Sequence, residues 1–488
     1  MANSILPSVI ETVDSTATAP IAMAVGQTAQ GVISNTNDYD YFTVGVVAGQ
    51  NYSIGLIGTG INPMNDPILR ILDSKGVEIL SNNDVVGASA SSYKWSELTY
   101  TATQTGNVTV KVGSNGADPG GQYGLSVTSG SQFNFDYLMG AGAVHSDTNS
   151  FWGSGNGQAV TVTYGFRQTA ASYTSTHAIN TFTQLNAAEI SAVRTILSLW
   201  SEVCGLKFQE VNPGGYTDNA TMLIGNYQDA SDGAGAFAYR PSKNGNTSST
   251  SSEGDIWLDR LSVKDSNLAQ GGYGFSTIMH EIGHAIGLTH PGPYNAANGV
   301  SITYTNDAKF IQDSGQYTVM SYFDGSNTNQ SPGLKSAIDS PMVLDILALQ
   351  NMYGANMSTR IGDTVYGFGS NAGSTYDFLV NSAPQLCIWD AGGIDTLNCS
   401  GFSQNQSINL NAGNFSSVGG QTSNISIALN VSMENAVGGL GNDVITGNFA
   451  NNTLDGGAGI DTAIYSGTAA THTVTIGNST STVVDKTA

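Results

Sequence analysis

Eleven residues, His280-Glu281-Ile282-Gly283-His284-Ala285-Ile286-Gly287-Leu288-Thr289-His290, contain three of the six histidines of a 488-residue chain. Positions i and i+4 of a helix share one face a turn apart, so His280 and His284 can aim their imidazoles at one ion. Gly287 suits a left-handed turn that ends the helix and brings His290 back as a third nitrogen ligand. Three imidazoles with one open position describe a catalytic zinc site, because structural zinc closes all four positions with protein. Glu281, beside the first ligand, is placed to take a proton from a water that the metal polarises. The chemistry these residues suit is therefore metal-assisted hydrolysis. A dead enzyme that keeps the metal is a separate reading, and Glu281 argues against it.

About thirty residues on, Tyr317-Thr318-Val319-Met320-Ser321-Tyr322 follows. A long zinc motif with a Met-Ser-Tyr turn after it resembles the metzincins. Pro291 and the stretch Pro-Gly-Pro-Tyr-Asn-Ala-Ala-Asn-Gly at 291–299 narrow the resemblance to the serralysin family. That resemblance implies one catalytic zinc ion on His280, His284 and His290, Met320 as an apolar floor beneath them, and Tyr322 as a further, movable zinc ligand. It also implies that Tyr322 hydrogen-bonds the transition state, and that an edge strand pairs with extended substrate. The candidate for that strand is Ala236, Phe237, Ala238 and Tyr239, after a first strand at 221–225.

The elements that must position this site fall in the middle of three expected segments. Residues 131–358 read as the α+β metzincin catalytic domain. Asn186 with Glu189 marks a helix start, and Ile190, Val193, Leu197, Trp200 and Cys204 recur along one face of a core helix. Ser340 as cap, Pro341 at the first helical position and Gly354 past the end bracket another helix, which closes the domain and resembles the serralysin helix leading into a calcium-binding region. Residues 1–130 alternate apolar and polar over short runs such as Tyr41-Phe42-Thr43-Val44 and Val108-Thr109-Val110-Lys111-Val112, which predicts an all-β sandwich. Asp38-Tyr39-Asp40-Tyr41-Phe42, Asp73-Ser74-Lys75-Gly76 and Asn82-Asn83-Asp84 resemble the jelly-roll-like pre-peptidase C-terminal domains of secreted proteases. Substrate or surface binding, passive stabilisation and a propeptide-like cover remain open as its role.

Residues 359–488 carry repeats. Units of nine start at Gly438, Gly447 and Gly456, and the pattern is that of a parallel β-roll in which glycine turns wrap calcium and the apolar residues form short strands. Gly438, Gly439, Gly441, Asp443, Gly456, Gly457, Gly459 and Asp461 are the expected calcium residues. Ala450 and Asn452 stand where the middle unit should carry Gly and Asp, so that turn is degenerate. Asp390, Gly392 and Asp395 resemble an earlier turn of the same chemistry.

Sixty glycines with 11% charged residues fit a turn-rich β protein, and 37 acidic against 15 basic residues give a net charge of −22. No basic cluster is available to neutralise phosphates, which argues against nucleic acid, while carboxylates among glycines suit several structural calcium ions. Cys204 reads as buried packing, and Cys387 and Cys399 could meet across two strands. The N-terminus lacks the charge and apolar run of a signal peptide, and no apolar run of eighteen residues predicts a spanning helix. The serralysin resemblance nevertheless implies extracellular location through a one-step exporter that reads a C-terminal signal. The stretch Thr471–Ala488 shows no obvious signal of that kind, so truncation or processing is expected. The combined expectation is a monomeric, secreted zinc endopeptidase acting on proteins or peptides. A calcium-dependent adhesive or carbohydrate-binding protein with a vestigial zinc site is the alternative.

Overall fold

The computed structural model describes residues 9–485 apart from 11–15, 26–27, 36–37, 59–63, 65, 83–94, 115–119, 130–141, 146–148, 156, 232, 298, 309–311, 329, 331–337, 449, 466–471 and 477–480. Asn83, Asp84 and most of the stretch 471–488 that the sequence analysis singled out lie outside the described residues or their side chains.

The period-two runs of the N-terminal segment become two five-stranded sheets. One orders Val9–Ile10, Thr28–Ile33, Gly121–Ser129, Asn51–Gly58 and Trp95–Thr101; the other orders Ile21–Met23, Tyr39–Val46, Gly106–Ser114, Pro67–Leu72 and Glu78–Asn82. Alternation sends Phe42, Val44, Val108, Val110, Leu69 and Ile71 from one sheet and Ile54, Leu56, Leu125 and Val127 from the other into a single apolar cluster. The Tyr123 hydroxyl enters that interior and donates to Asp40 at 2.7 Å, which satisfies both buried groups.

The next segment is built on a sheet of β1 (Val160–Phe166), β2 (Leu206–Glu210), β3 (Met222–Tyr227), β4 (Ala236–Ala238) and β5 (Ile256–Asp259), in the order β2-β1-β3-β5-β4. All neighbours are parallel except β4, which runs antiparallel to β5 at the sheet's end. Helix α1 (Ala187–Val203) starts at the expected capping box: the Asn186 side chain accepts from the N–H groups of Ala188 and Glu189, and Glu189 accepts from Asn186 N–H at 2.7 Å. Its buried face, Val193, Ile196, Leu197 and Trp200, shares one core with Ile278, Met279 and Ile282 of helix α2 (Tyr273–Ala285).

Helix α3 (Val343–Tyr353) starts later than the Ser-Pro signal suggests. The capping position is Met342, whose N–H donates to Asp345 at 2.9 Å, while the Ser340 hydroxyl is engaged with the chain at Pro341 and Cys387. Asp345 outcompetes Ser340 because its carboxylate sits three residues inside the helix, where it reaches back to the free N–H. Gly354 ends the helix at φ +75°, as expected.

Beyond residue 355 the chain forms short strands in parallel ladders. Val365–Gly367, Thr396–Asn398, Asn435–Val437 and Thr453–Asp455 make one ladder; Ser407–Asn409, Val444–Thr446 and Thr462–Ile464 make another. The repeat units thus place successive strands alternately in two ladders. Leu397, Ile408, Ala436 and Ile445 continue the hydrophobic cluster that begins around Val144, so the two segments are fused through one core. Cys204, Cys387 and Cys399 are all buried and free, and the expectation that Cys387 and Cys399 might pair is not met.

Candidate metal centre and cleft

The three histidines converge. Nε2 of His290 lies 3.1 Å from Nε2 of His280 and 3.1 Å from Nε2 of His284. Each ring is fixed from behind by a backbone carbonyl: His280 Nδ1 donates to Val319 at 2.8 Å, His284 Nδ1 to Leu288 at 2.9 Å, and His290 Nδ1 to Tyr294 at 2.7 Å. These bonds select the tautomer with hydrogen on Nδ1, which leaves three Nε2 lone pairs aimed at one another. Burial holds all three imidazoles neutral, lowering His280 to about 4, His290 to about 3 and His284 well below its usual value. Converging lone pairs without protons repel unless a cation lies between them, so the donor set fits a transition-metal ion. Among the described residues this is the one group of three His, Cys, Asp or Glu side chains whose ligand atoms come within 4.8 Å of each other.

Local sequence explains the convergence. α2 stops at Ala285, and Gly287 at φ +112° turns the chain where a Cβ would meet the Ser150 carbonyl at 2.4 Å. Thr289 N–H then donates to the Val144 carbonyl at 2.7 Å and fixes the approach of His290. Between the helical ligands, Gly283 leaves room for fully buried Met320, whose Sδ would lie 2.5 Å from a Cβ at that position. Met320 thus packs against the turn of α2 that lies between His280 and His284.

Glu281 is buried, and its Oε2 has no hydrogen-bond partner. Burial alone pushes its carboxyl up to about 8. The Tyr322 ring lies 4.4 Å from His290 and 5.7 Å from His280, with burial raising its phenol to about 12.

Two buried carboxylates that the sequence did not single out hold the turn carrying Met320. Asp345 accepts from Thr318 Oγ1 at 2.6 Å and Val319 N–H at 2.8 Å, so the carbonyl that orients His280 is anchored to α3. Asp313 accepts from the hydroxyls of Tyr294 at 2.7 Å and Ser321 at 2.8 Å, and so joins the carbonyl support of His290 to the same turn. Such anchors escape sequence reading because their partners are backbone N–H groups and hydroxyls of residues distant in the chain, which leave no local signature.

A cleft of about 730 Å3 runs across the centre, lined by the three histidines, Glu281, Tyr322, Tyr273, His177 and the strand residues Ala236, Phe237 and Ala238. Tyr239, expected with them, is not in this lining; its hydroxyl donates to Ser175 Oγ at 2.8 Å instead.

The acidic residues of the C-terminal segment occupy turns. Asp395, fully buried, accepts from Thr364 N–H at 2.8 Å through Oδ1, while its Oδ2 has no hydrogen-bond partner; burial, then Asp390, Glu434 and Asp363, push it up to about 7. Asp390 accepts from Gly392 N–H at 2.8 Å and from the Tyr366 hydroxyl. Asp443 accepts from Gly439 N–H at 2.6 Å and Gln406 N–H at 2.7 Å, and Asp461 accepts from Asp443 N–H at 2.9 Å. The turns around Gly438, Gly441, Gly456, Gly457 and Gly459 crowd their neighbours so closely that a Cβ at any of them would lie within 2.6 Å of another atom.

The family model for Matrixin matches residues 165–316, and that for the Peptidase M10 serralysin C terminal matches residues 355–485. The metallopeptidase AprA of Pseudomonas marginalis is 43% identical over 324 residues, which cover 65% of each chain. Over this span the chain is similar to the serralysins. The serralysin of Photorhabdus laumondii subsp. laumondii is 42% identical over 283 residues, 57% of this chain and 56% of that one, and serralysin B of Dickeya chrysanthemi 39% over 332, 66% of each. The chain thus spans between 56% and 66% of the length of these relatives. Zinc is the ion the family implies for the histidine centre. A pre-peptidase C-terminal domain of collagenase from Bacillus anthracis covers 24% of this chain and all of that one at 16% identity, with a TM-score of 0.18 that carries no argument.

Proposed function

We propose that the protein is a zinc-dependent endopeptidase acting on extracellular proteins or peptides. One observation carries this reading: three neutral imidazoles share a focus beside a buried carboxylate whose Oε2 no protein group satisfies. Zinc held by His280, His284 and His290 would supply Lewis acidity there, which lowers the pKa of water from about 15.7 to roughly 7.

The chain's own groups supply the rest. Glu281 accepts a proton from the attacking water on its free Oε2 and later releases it to the leaving amine, a role suited to a carboxyl poised near neutrality. Tyr322, whose hydroxyl remains protonated because burial raises its phenol, donates to the oxygen on which charge develops, and would be a further ligand for zinc. Ala236 and Ala238 pair with substrate backbone as an added strand, orienting the scissile bond over the histidines. Met320 keeps the floor dry and fixed.

The same reading assigns three domains, 1–130, 131–358 and 359–488. The first is a jelly-roll-like sandwich and the last a parallel β-roll holding several structural calcium ions. Calcium would draw on Asp390, Asp395, Asp443 and Asp461 with carbonyls of the glycine turns, because the carboxylates alone do not gather three ligand atoms closely. Among the described residues no helix is long and apolar enough to cross a membrane. Secretion through a one-step exporter and a monomeric state complete the proposal.

The test is hydrolysis of casein and of defined peptides by the metal-loaded protein, with a zinc chelator and after zinc is restored. Cleavage that disappears with chelation and returns with zinc is expected; binding without any cleavage would favour the adhesive alternative.

A further inference from the structure

Strand β4 has one bonded edge and one free edge. The Gly235 carbonyl accepts from Asp259 N–H at 3.2 Å, Tyr239 N–H donates to Asp255 at 2.9 Å, and the Tyr239 carbonyl accepts from Gly254 N–H at 2.7 Å. Odd-numbered residues therefore bond to β5, and the N–H and C=O groups of Ala236 and Ala238 face the cleft. Side chains alternate as well: Ala236 and Ala238 pack on the core with α2, whereas Phe237 stands on the sheet's other face beside Trp257 and Tyr227.

On that outer face the His177 imidazole lies flat on Phe237, with centroids 4.0 Å apart and planes 19° apart, and both rings line the cleft. The segment bringing His177 there is tied down at several points. Ser175 Oγ accepts from both the Tyr239 hydroxyl at 2.8 Å and His177 N–H at 3.1 Å. Tyr173 donates to Asp255 at 2.6 Å and accepts from Trp257 Nε1 at 3.0 Å. The Asp229 carboxylate is occupied by Ser231 and by the backbone of Ala178. The shelf is thus rigid before any ligand arrives, which reduces the ordering cost of binding.

We infer that His177 and Phe237 form a side-chain subsite selecting a flat aromatic residue at one alternate position of a substrate strand, on the side facing away from the zinc histidines. This rests on the peptidase reading and deepens it. A chain added to the free edge of β4 must alternate its side chains above and below the sheet, and one on Phe237's side is a cross-strand neighbour of the stacked pair. The stacked apolar rings favour an aromatic partner.

The test uses the full-length, metal-loaded protein and alanine-rich peptides in which a single Phe, Arg or Ala is walked along the sequence. The wild type should show a Phe-over-Ala preference in kcat/KM of roughly tenfold, confined to positions of one parity. His177→Ala should bring that ratio close to one, and His177→Phe should retain it, with melting curves confirming that both variants are folded. Cleavage by the wild type without an aromatic preference, a preference for Arg at that position, or a ratio indifferent to His177→Ala would overturn the inference while leaving the peptidase reading intact. A wild type that cleaves none of the peptides would remove both.

Discussion

The histidine centre and the acidic turns of the C-terminal segment are both proposed to hold ions, and they are assembled in opposite ways. The three histidines come from eleven consecutive residues and already converge to 3.1 Å. In the C-terminal segment the partners come from different turns: Asp395 bonds to Thr364, Asp443 to Gln406, and Asp461 to Asp443. A local phrase can organise a site before any ion arrives, whereas a stacked site depends on every neighbouring turn being intact. The degenerate middle unit shows the difference. There the Asn452 side-chain oxygen accepts from Asn448 N–H at 2.8 Å, and its amide donates to the Glu434 carbonyl at 3.1 Å. An uncharged amide closes the turn by itself, with both donors and acceptors satisfied and no cation required.

The largest effect that sharpens this contrast is at Glu281. Glu281→Gln should lower kcat/KM by about a thousandfold or more while zinc content and melting temperature stay near wild type, because the role lost is proton transfer and not assembly. Peptide hydrolysis alongside metal analysis checks this, and retained activity would break the assignment.

Next is the anchoring of the preformed site. Asp345→Ala leaves the Thr318 hydroxyl and the N–H groups of Val319 and Met342 without their acceptor inside the core. We expect a loss of about 3 kcal/mol in chemical denaturation and a tenfold to hundredfold weaker zinc affinity in chelator competition, since the His280 carbonyl partner moves with Val319. Gly283→Ala should cost about 1–3 kcal/mol by driving a methyl into Met320. Its readout is the denaturation midpoint, and an unchanged midpoint would show that Met320 yields freely.

Within the stacked turns, buried Asp395 and exposed Asp461 should differ. Asp395→Asn should weaken calcium-dependent stabilisation in a melting experiment, whereas Asn452→Ala, which removes no ion ligand, should reduce the melting temperature equally with and without calcium. The smallest expected change, under about 1 kcal/mol, is for Asp461→Asn without calcium, because its hydrogen bond to Asp443 lies at the exposed end of the ladder.

How much of this was legible follows the same division. The zinc phrase, the Asn186–Glu189 cap, the Met320 turn and the nine-residue units were readable because each is encoded within a few consecutive residues. The alternation of residues 39–46 and 106–114 gave the N-terminal strands for the same reason. What stayed hidden was contributed across the chain. Asp345 looked like an ordinary helical residue and displaced Ser340 as the cap; Asp313 and His177 carried no motif; and Tyr239 looked like part of the cleft until its hydroxyl was found on Ser175. Cys387 and Cys399 invited a pairing that their free, buried state does not fulfil.

The carbonyls of Leu288 and Tyr294 that grip two of the imidazoles lie within the ligands' own stretch of chain, whereas that of Val319, which grips His280, comes from the turn about thirty residues further on. An ion held there would consequently report tertiary integrity: loosening of either stretch rotates a ring out of register while α2 can remain helical. During gradual unfolding, metal release should precede the loss of helical signal, so a colorimetric zinc indicator would register damage that circular dichroism does not yet see.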